Sequence, residues 1–183
     1  MFRIYRDIRF SRDKRPYKPM ASAALTRSGE RMDPGVLYIH VEPGKSFLGC
    51  GFWQPLPQLL EAWRREMIRQ PQTFLSALRA IEAKGHSLES GELRKRLPRG
   101  FETASGTAIA PYLLWNSFIS RREIPDDELQ SAELPQRILT FAQASRPLLD
   151  YGWALMPGGS ASVRDDANPR DVRPERRRAS GGK

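Results

Sequence analysis

The chain has 183 residues, with 30 Lys+Arg against 21 Asp+Glu and a net charge of +9; its pI is near 10.2 and its mean hydropathy is −0.57. The longest nearly uninterrupted apolar run, Ala108 to Trp115, contains Pro111 and falls far short of the roughly 20 residues of a spanning helix, so no helical membrane span is predicted. Charge at Arg3, Arg6, Asp7 and Arg9 excludes a signal-peptide core, and Cys50, the one cysteine, allows neither an intrachain disulfide nor a CxxC zinc pair; the expectation is a non-secreted, cytoplasmic protein.

The charge is concentrated at the two ends. Arg3 to Lys18 carries a net +5 and Arg164 to Lys183 a net +3, which leaves the long central part near neutrality. From Gly158 onward the sequence has two Val, no aromatic residue and a mixture of charge, Gly, Ser and Pro that buries too little apolar surface to offset its ordering entropy. Residues 158–183 are therefore expected to be a disordered basic tail, and 1–157 a single domain with one core.

In chain order, Phe2 to Phe10 alternates at period two (Phe2, Ile4, Ile8, Phe10) and predicts a strand, with Arg6 on its apolar side. The segment after it, Ser11 to Lys18, is charged and contains Pro16, and reads as a loop. Met20 to Pro34 reads as polar and irregular. Val36 to Glu42 and Ser46 to Trp53 flank Pro43-Gly44, which suits the central positions of a type II turn and predicts an antiparallel hairpin. Gly49 and Gly51 bare one strand face and point either to a close approach or to a bulge. Pro57 to Arg69 is expected to be a helix with Leu59, Leu60, Trp63, Met67 and Ile68 on its stripe; a second begins at Pro71 and ends before Gly85. Leu93 to Phe101 is a basic connector. Ile109 to Trp115 predicts a helix, Asn116 to Glu123 a strand, and Pro125 to Glu128 a helix start with acids at its positive end. A final long helix follows from Leu134, with Ile138, Leu139, Phe141, Leu148, Leu149 and Trp153 on its stripe and a bend at Pro147. The predicted class is α+β: a small, mainly antiparallel sheet packed against several helices.

The run from Arg3 to Lys18 (RIYRDIRFSRDKRPYK), together with Tyr38, Pro43-Gly44, Gly49, Gly51, Trp53, Pro55 and Leu97-Pro98-Arg99-Gly100-Phe101, resembles the domain of unknown function 2461 family of bacterial and fungal proteins. The resemblance extends over roughly Arg3 to Leu155 and implies a shared fold; no biochemical activity comes with it. It also implies a helical segment ahead of the box, which is expected to be missing here. If such helices normally cover Phe2, Ile4, Ile8 and Phe10, the chain is expected to present that apolar face to solvent.

Cations delivered by a strand and the loop after it suit a phosphate, because guanidinium forks bind its oxygens bidentately. Arg3 and Arg9 stand about 20 Å apart along a strand, too far to share one phosphate. The candidate anion site is accordingly Arg6, Arg9, Arg12, Lys14 and Lys18, with Tyr17 packing a base or ring; the expected partner is a phosphate-bearing ligand or a polyanion such as nucleic acid. The same charges also fit a salt-bridge network with Asp7 and Asp13 that stitches the fold to itself. Other readings are a metal-dependent phosphoesterase in which Asp7 and Asp13 hold Mg²⁺, and a protein-interaction module without a small ligand. His40 and His86 lack an acid, His or Cys partner at metal-ligand spacing and read as packed or surface histidines, and Cys50 reads as a small buried residue. No cofactor is indicated.

Overall fold

The computed structural model describes residues 17–30 and 33–156. Five strands, β1 (Ala21–Thr26), β2 (Val36–Val41), β3 (Phe47–Phe52), β4 (Ser87–Glu89) and β5 (Phe118–Glu123), form one sheet in the order β1-β2-β3-β5-β4. Every neighbouring pair is antiparallel. The helices are α1 (Pro57–Arg69), α2 (Pro71–Glu82), the single turns α3 (Ala110–Leu113) and α4 (Asp126–Leu129), and the long α5 (Leu134–Ala154). The class is α+β, as the pattern predicts.

The β2–β3 hairpin turns where the sequence places it. The Lys45 N–H donates to the Glu42 carbonyl at 2.9 Å, and Gly44 takes φ +71°, the value a type II turn demands of its third residue. Gly51 is the close approach. Its φ is +145°, and a Cβ there would run into the Phe118 carbonyl oxygen of β5. Gly49, by contrast, has only ordinary neighbours, the nearest being Ile119 at 3.7 Å.

Alternation gives the sheet two unlike faces. Leu48, Cys50 and Phe52 of β3, with Phe118 and Ser120 of β5, are almost fully buried on the face that α5 and the other helices cover. At the centre of that core lies Trp63 of α1, stacked on Phe118 with centroids 4.1 Å apart and edge-on to Phe52 and Phe74. Aromatic side chains bury about 150–250 Å² apiece, so this cluster is a large share of the core's apolar area. Tyr151 joins it from α5, 4.9 Å from Trp63.

The helix stripes are narrower than the sequence suggests. Leu60, Trp63 and Met67 are buried, but Ile68 is 41% exposed and Leu139 is 49% exposed, because each follows a core-facing neighbour by one residue and is thereby rotated about 100° away from it. Met20 to Pro34 is not irregular throughout: Ala21–Thr26 pairs with β2 from Ala21↔Val41 to Thr26↔Val36. The helix expected over Ile109 to Trp115 is a single turn, α3, that stops at Leu113. α5 runs as one helix through Pro147. The expected strand Phe2 to Phe10 and the expected disordered tail lie outside the described residues. No helix among the described residues is long and apolar enough to cross a membrane.

Candidate ligand site at one end of the sheet

The sheet's second face, opposite the helices, carries the polar chemistry. Tyr38, His40 and Glu42 follow one another at period two and so project on the same side of β2 and its extension. His40 faces Ser22 of β1 on one side and Phe47 of β3 on the other. Phe47 in turn faces Glu123, and Gly49 faces Arg121.

A layered stack results. The His40 ring lies on the Phe47 ring with centroids 4.9 Å apart and 22° between planes, and the Arg121 guanidinium sits 4.0 Å from the Phe47 centroid. A cation over an aromatic face is held by the ring quadrupole. Arg121 is also 3.5 Å from the Glu89 carboxylate on β4. His40 is only 9% exposed, and its Nε2 lies 3.1 Å from Oε2 of Glu42, while Nδ1 lies 3.5 Å from the Tyr38 hydroxyl. This corrects the expectation that His40 has no acid partner: two residues apart on a strand is side by side on one face. The carboxylate sets which imidazole nitrogen carries hydrogen.

His40, Glu42, Phe47 and Arg121 border a cavity of about 550 Å³, lined also by Lys45, Glu123, Ile124 and Asp126, within the range of about 300–1,000 Å³ typical of small-molecule sites. Its floor is fixed. Asp126, at the start of α4, accepts the Gly44 N–H at 2.8 and 3.0 Å, tying the hairpin turn to the loop after β5. The Ser46 hydroxyl donates to the Glu42 carbonyl at 2.8 Å and accepts from the Glu42 N–H, which closes the turn from inside.

Of the candidate anion ligands, Tyr17 and Lys18 are described; both are exposed, Tyr17 by 56%. Lys18 precedes β1 by three residues, and β1 starts opposite Val41, at the end of the sheet that bears Phe47, Glu123 and the cavity. Arg6, Arg9, Arg12 and Lys14, with the carboxylates Asp7 and Asp13, lie outside the described residues. His86 is a packed histidine, edge-on to Phe141 at 5.0 Å. Cys50 is fully buried; burial pushes its thiol up to about 12, against a smaller opposite pull from Ser145. Lys45, Phe47 and Arg121 do not stand out in the sequence; the readable signal is Tyr-x-His-x-Glu within a strand.

A single antiparallel sheet backed by helices, with a polar cavity at the strand ends, defines a class of α+β protein in which one sheet face builds the core and the other carries polar side chains. The chain matches, over residues 1–151, the family described as Conserved hypothetical protein (DUF2461), and it belongs to that family. No curated protein and no solved structure matches it. Among the described residues, no group of three or more His, Cys, Asp or Glu is placed to hold a metal ion.

Proposed function

We propose that the protein binds a phosphate-bearing ligand at the β1 entry end of the sheet, with the cations of the Arg3 to Lys18 box meeting the phosphate. The observation that supports this reading is the cavity holding Arg121, Lys45 and His40 at the sheet end where β1 begins, three residues after Lys18. The carboxylates on the same walls narrow the ligand. Glu42 is engaged by His40 at 3.1 Å and approached by Lys45 at 3.8 Å, and Asp126 is engaged by Gly44, whereas Glu123 is exposed. A site with guanidinium, ammonium and carboxylate groups together suits a molecule that has both an anion and hydroxyl or amino donors, such as a nucleotide or a sugar phosphate.

Calorimetric titration with AMP, a hexose phosphate and inorganic phosphate tests the reading. Saturable binding of one of the first two is expected, weakened about tenfold or more by Arg121→Ala, the cost of one charge-assisted hydrogen bond. Absence of binding for all three at low salt removes the proposal. The phosphoesterase reading rests on Asp7 and Asp13, which, like Arg6, Arg9, Arg12 and Lys14, lie outside the described residues.

A further inference from the structure

The connector after β4 holds a second concentration of charge, apart from the box. Arg94, Lys95, Arg96 and Arg99 fall between Leu93 and Phe101 with no acid among them. All of them are exposed, and among the described residues no carboxylate pairs with any of them. Several helix cations elsewhere are matched by a carboxylate, Arg65 by Glu61, Arg69 by Glu66, Arg137 by Glu133 and Arg146 by Asp150, while Arg79 bonds to the Leu75 carbonyl and the Ser76 hydroxyl. Flanking acids do not reverse the balance, because Glu92 precedes the run and Glu102 accepts the Gly100 N–H at 2.8 Å.

The connector is anchored rather than loose. The Arg94 N–H donates to the Leu114 carbonyl at 2.9 Å, Leu93 bridges to Trp115, and the Ser117 N–H donates to the Ser90 carbonyl at 2.9 Å. Beneath it lies Arg64, 5% exposed, whose guanidinium donates to the Leu113 and Trp115 carbonyls at 3.0 Å each. Burial first, and then the neighbouring Arg94, disfavour its charge. Like charges are thus crowded here, and the opposing pull of Glu61 on Arg64 is the smaller effect.

An exposed aromatic ring stands near Gly91, three residues ahead of the run. Trp53 is 58% exposed, and its Cζ3 lies 3.5 Å from where a Cβ on Gly91 would stand, at the foot of the connector. Unmatched cations in a row beside an exposed indole are the two ingredients of sequence-tolerant single-strand recognition: charges that track the backbone and a ring on which a base stacks. From Arg94 to Arg99 the chain reaches at most about 17 Å, enough to follow a few consecutive phosphates. We propose that this connector binds single-stranded nucleic acid, with Arg94, Lys95, Arg96 and Arg99 along the phosphates and Trp53 stacked on a base.

The test uses the full chain and a fluorescence titration with oligo(dT) of about 12 nucleotides, within the usual single-strand site size, over a salt series. Contact by four cations predicts a log–log salt slope of about −2.8 on a single strand. A variant with R94S, K95S, R96S and R99S together, its fold checked by circular dichroism, should lose most of that slope, and Trp53→Ala should weaken binding about tenfold. Trp53→Phe should keep most of the affinity and lose most of the emission quench. Arg9→Ser with Lys14→Ser, in the box, should leave the Trp53 quench in place. Unchanged affinity in the four-serine variant overturns the proposal, as does a Trp53 emission that ignores the oligonucleotide. Preference for duplex DNA, or binding only to phosphatidylserine vesicles, overturns it too.

Discussion

The backbone of Gly152 in α5 lies directly against the ring of Phe52 in β3. A methyl group at Gly152 would stand 2.6 Å from Cζ2 of Trp63 and nearer still to Phe52. Both rings are almost completely buried, so neither can swing into solvent. This contact sets how closely the long helix seats on the sheet.

Gly152→Ala is therefore expected to destabilise the protein despite alanine's better helix propensity. Overpacking costs about 1–3 kcal/mol, against a propensity gain of about 1 kcal/mol. Urea unfolding followed by far-UV circular dichroism measures the balance; a midpoint that rises would show that the aromatic core yields easily.

Arg64 is a buried cation that supports a loop. Its Nε and Nη2 hold the Leu113 and Trp115 carbonyls, with a longer contact of 3.4 Å to Oδ1 of Asn116. Arg64→Ala should cost about 2–3 kcal/mol, since buried acceptors are left unpaired. Arg64→Lys should recover less than half of it, because one ammonium cannot span the fork. Equal stability of the Lys and Arg proteins in denaturant titrations would contradict this role.

The Cys50 thiol, held near 12 by burial, should be inert in the folded state. Thiolate is the reactive form, and both access and ionisation are withheld. Incubation with a chromogenic disulfide at pH 8 should give no fast labelling until denaturant is added. Rapid stoichiometric labelling of native protein would place Cys50 elsewhere.

Acid should weaken the fold in two stages. Burial, and then Arg122, hold the His86 imidazole below its ordinary value near 6.5. The unfolded chain therefore binds that proton more readily, and stability is lost as pH falls below about 6.5. The paired hydrogen bonds from Arg122 to Glu128, both 2.7 Å, hold the Glu128 carboxyl below the usual 4.5, with Arg137 adding to the pull. Its contribution is complete above that value and disappears as pH drops through the lowered one. Unfolding midpoints of wild type, His86→Phe and Glu128→Gln between pH 7 and 3 check the signs: the first variant should flatten the upper stage, the second the lower. Greater stability at pH 4 than at pH 7 would reverse them.

Local chemistry was readable wherever a few residues decide the outcome. Pro43-Gly44 dictates its turn through a fixed φ and a positive one, and Pro57 and Pro71 open their helices because a missing N–H is harmless in a first turn. β1 was missed because Ala-Ser-Ala-Ala-Leu-Thr has no large apolar residue in alternation; it is a strand only by virtue of β2 beside it. β4, three residues long, has no period to detect. His40 and Glu42 were legible as neighbours on a strand face, yet nothing in the spacing announces Arg121, more than 70 residues further on, as the cation on Phe47.

The amino-acid sequence by itself determined the class of fold, the turn and helix starts, the buried stripe through Trp63, and family membership, because these depend on periodicity and on residues adjacent along the chain. Only the tertiary structure decided the strand order β1-β2-β3-β5-β4, and with it the meeting of His40, Phe47 and Arg121 at one sheet end and the unmatched charge beside Trp53. Strand order follows from which faces bury best against one another, a comparison among distant segments that local spacing does not record.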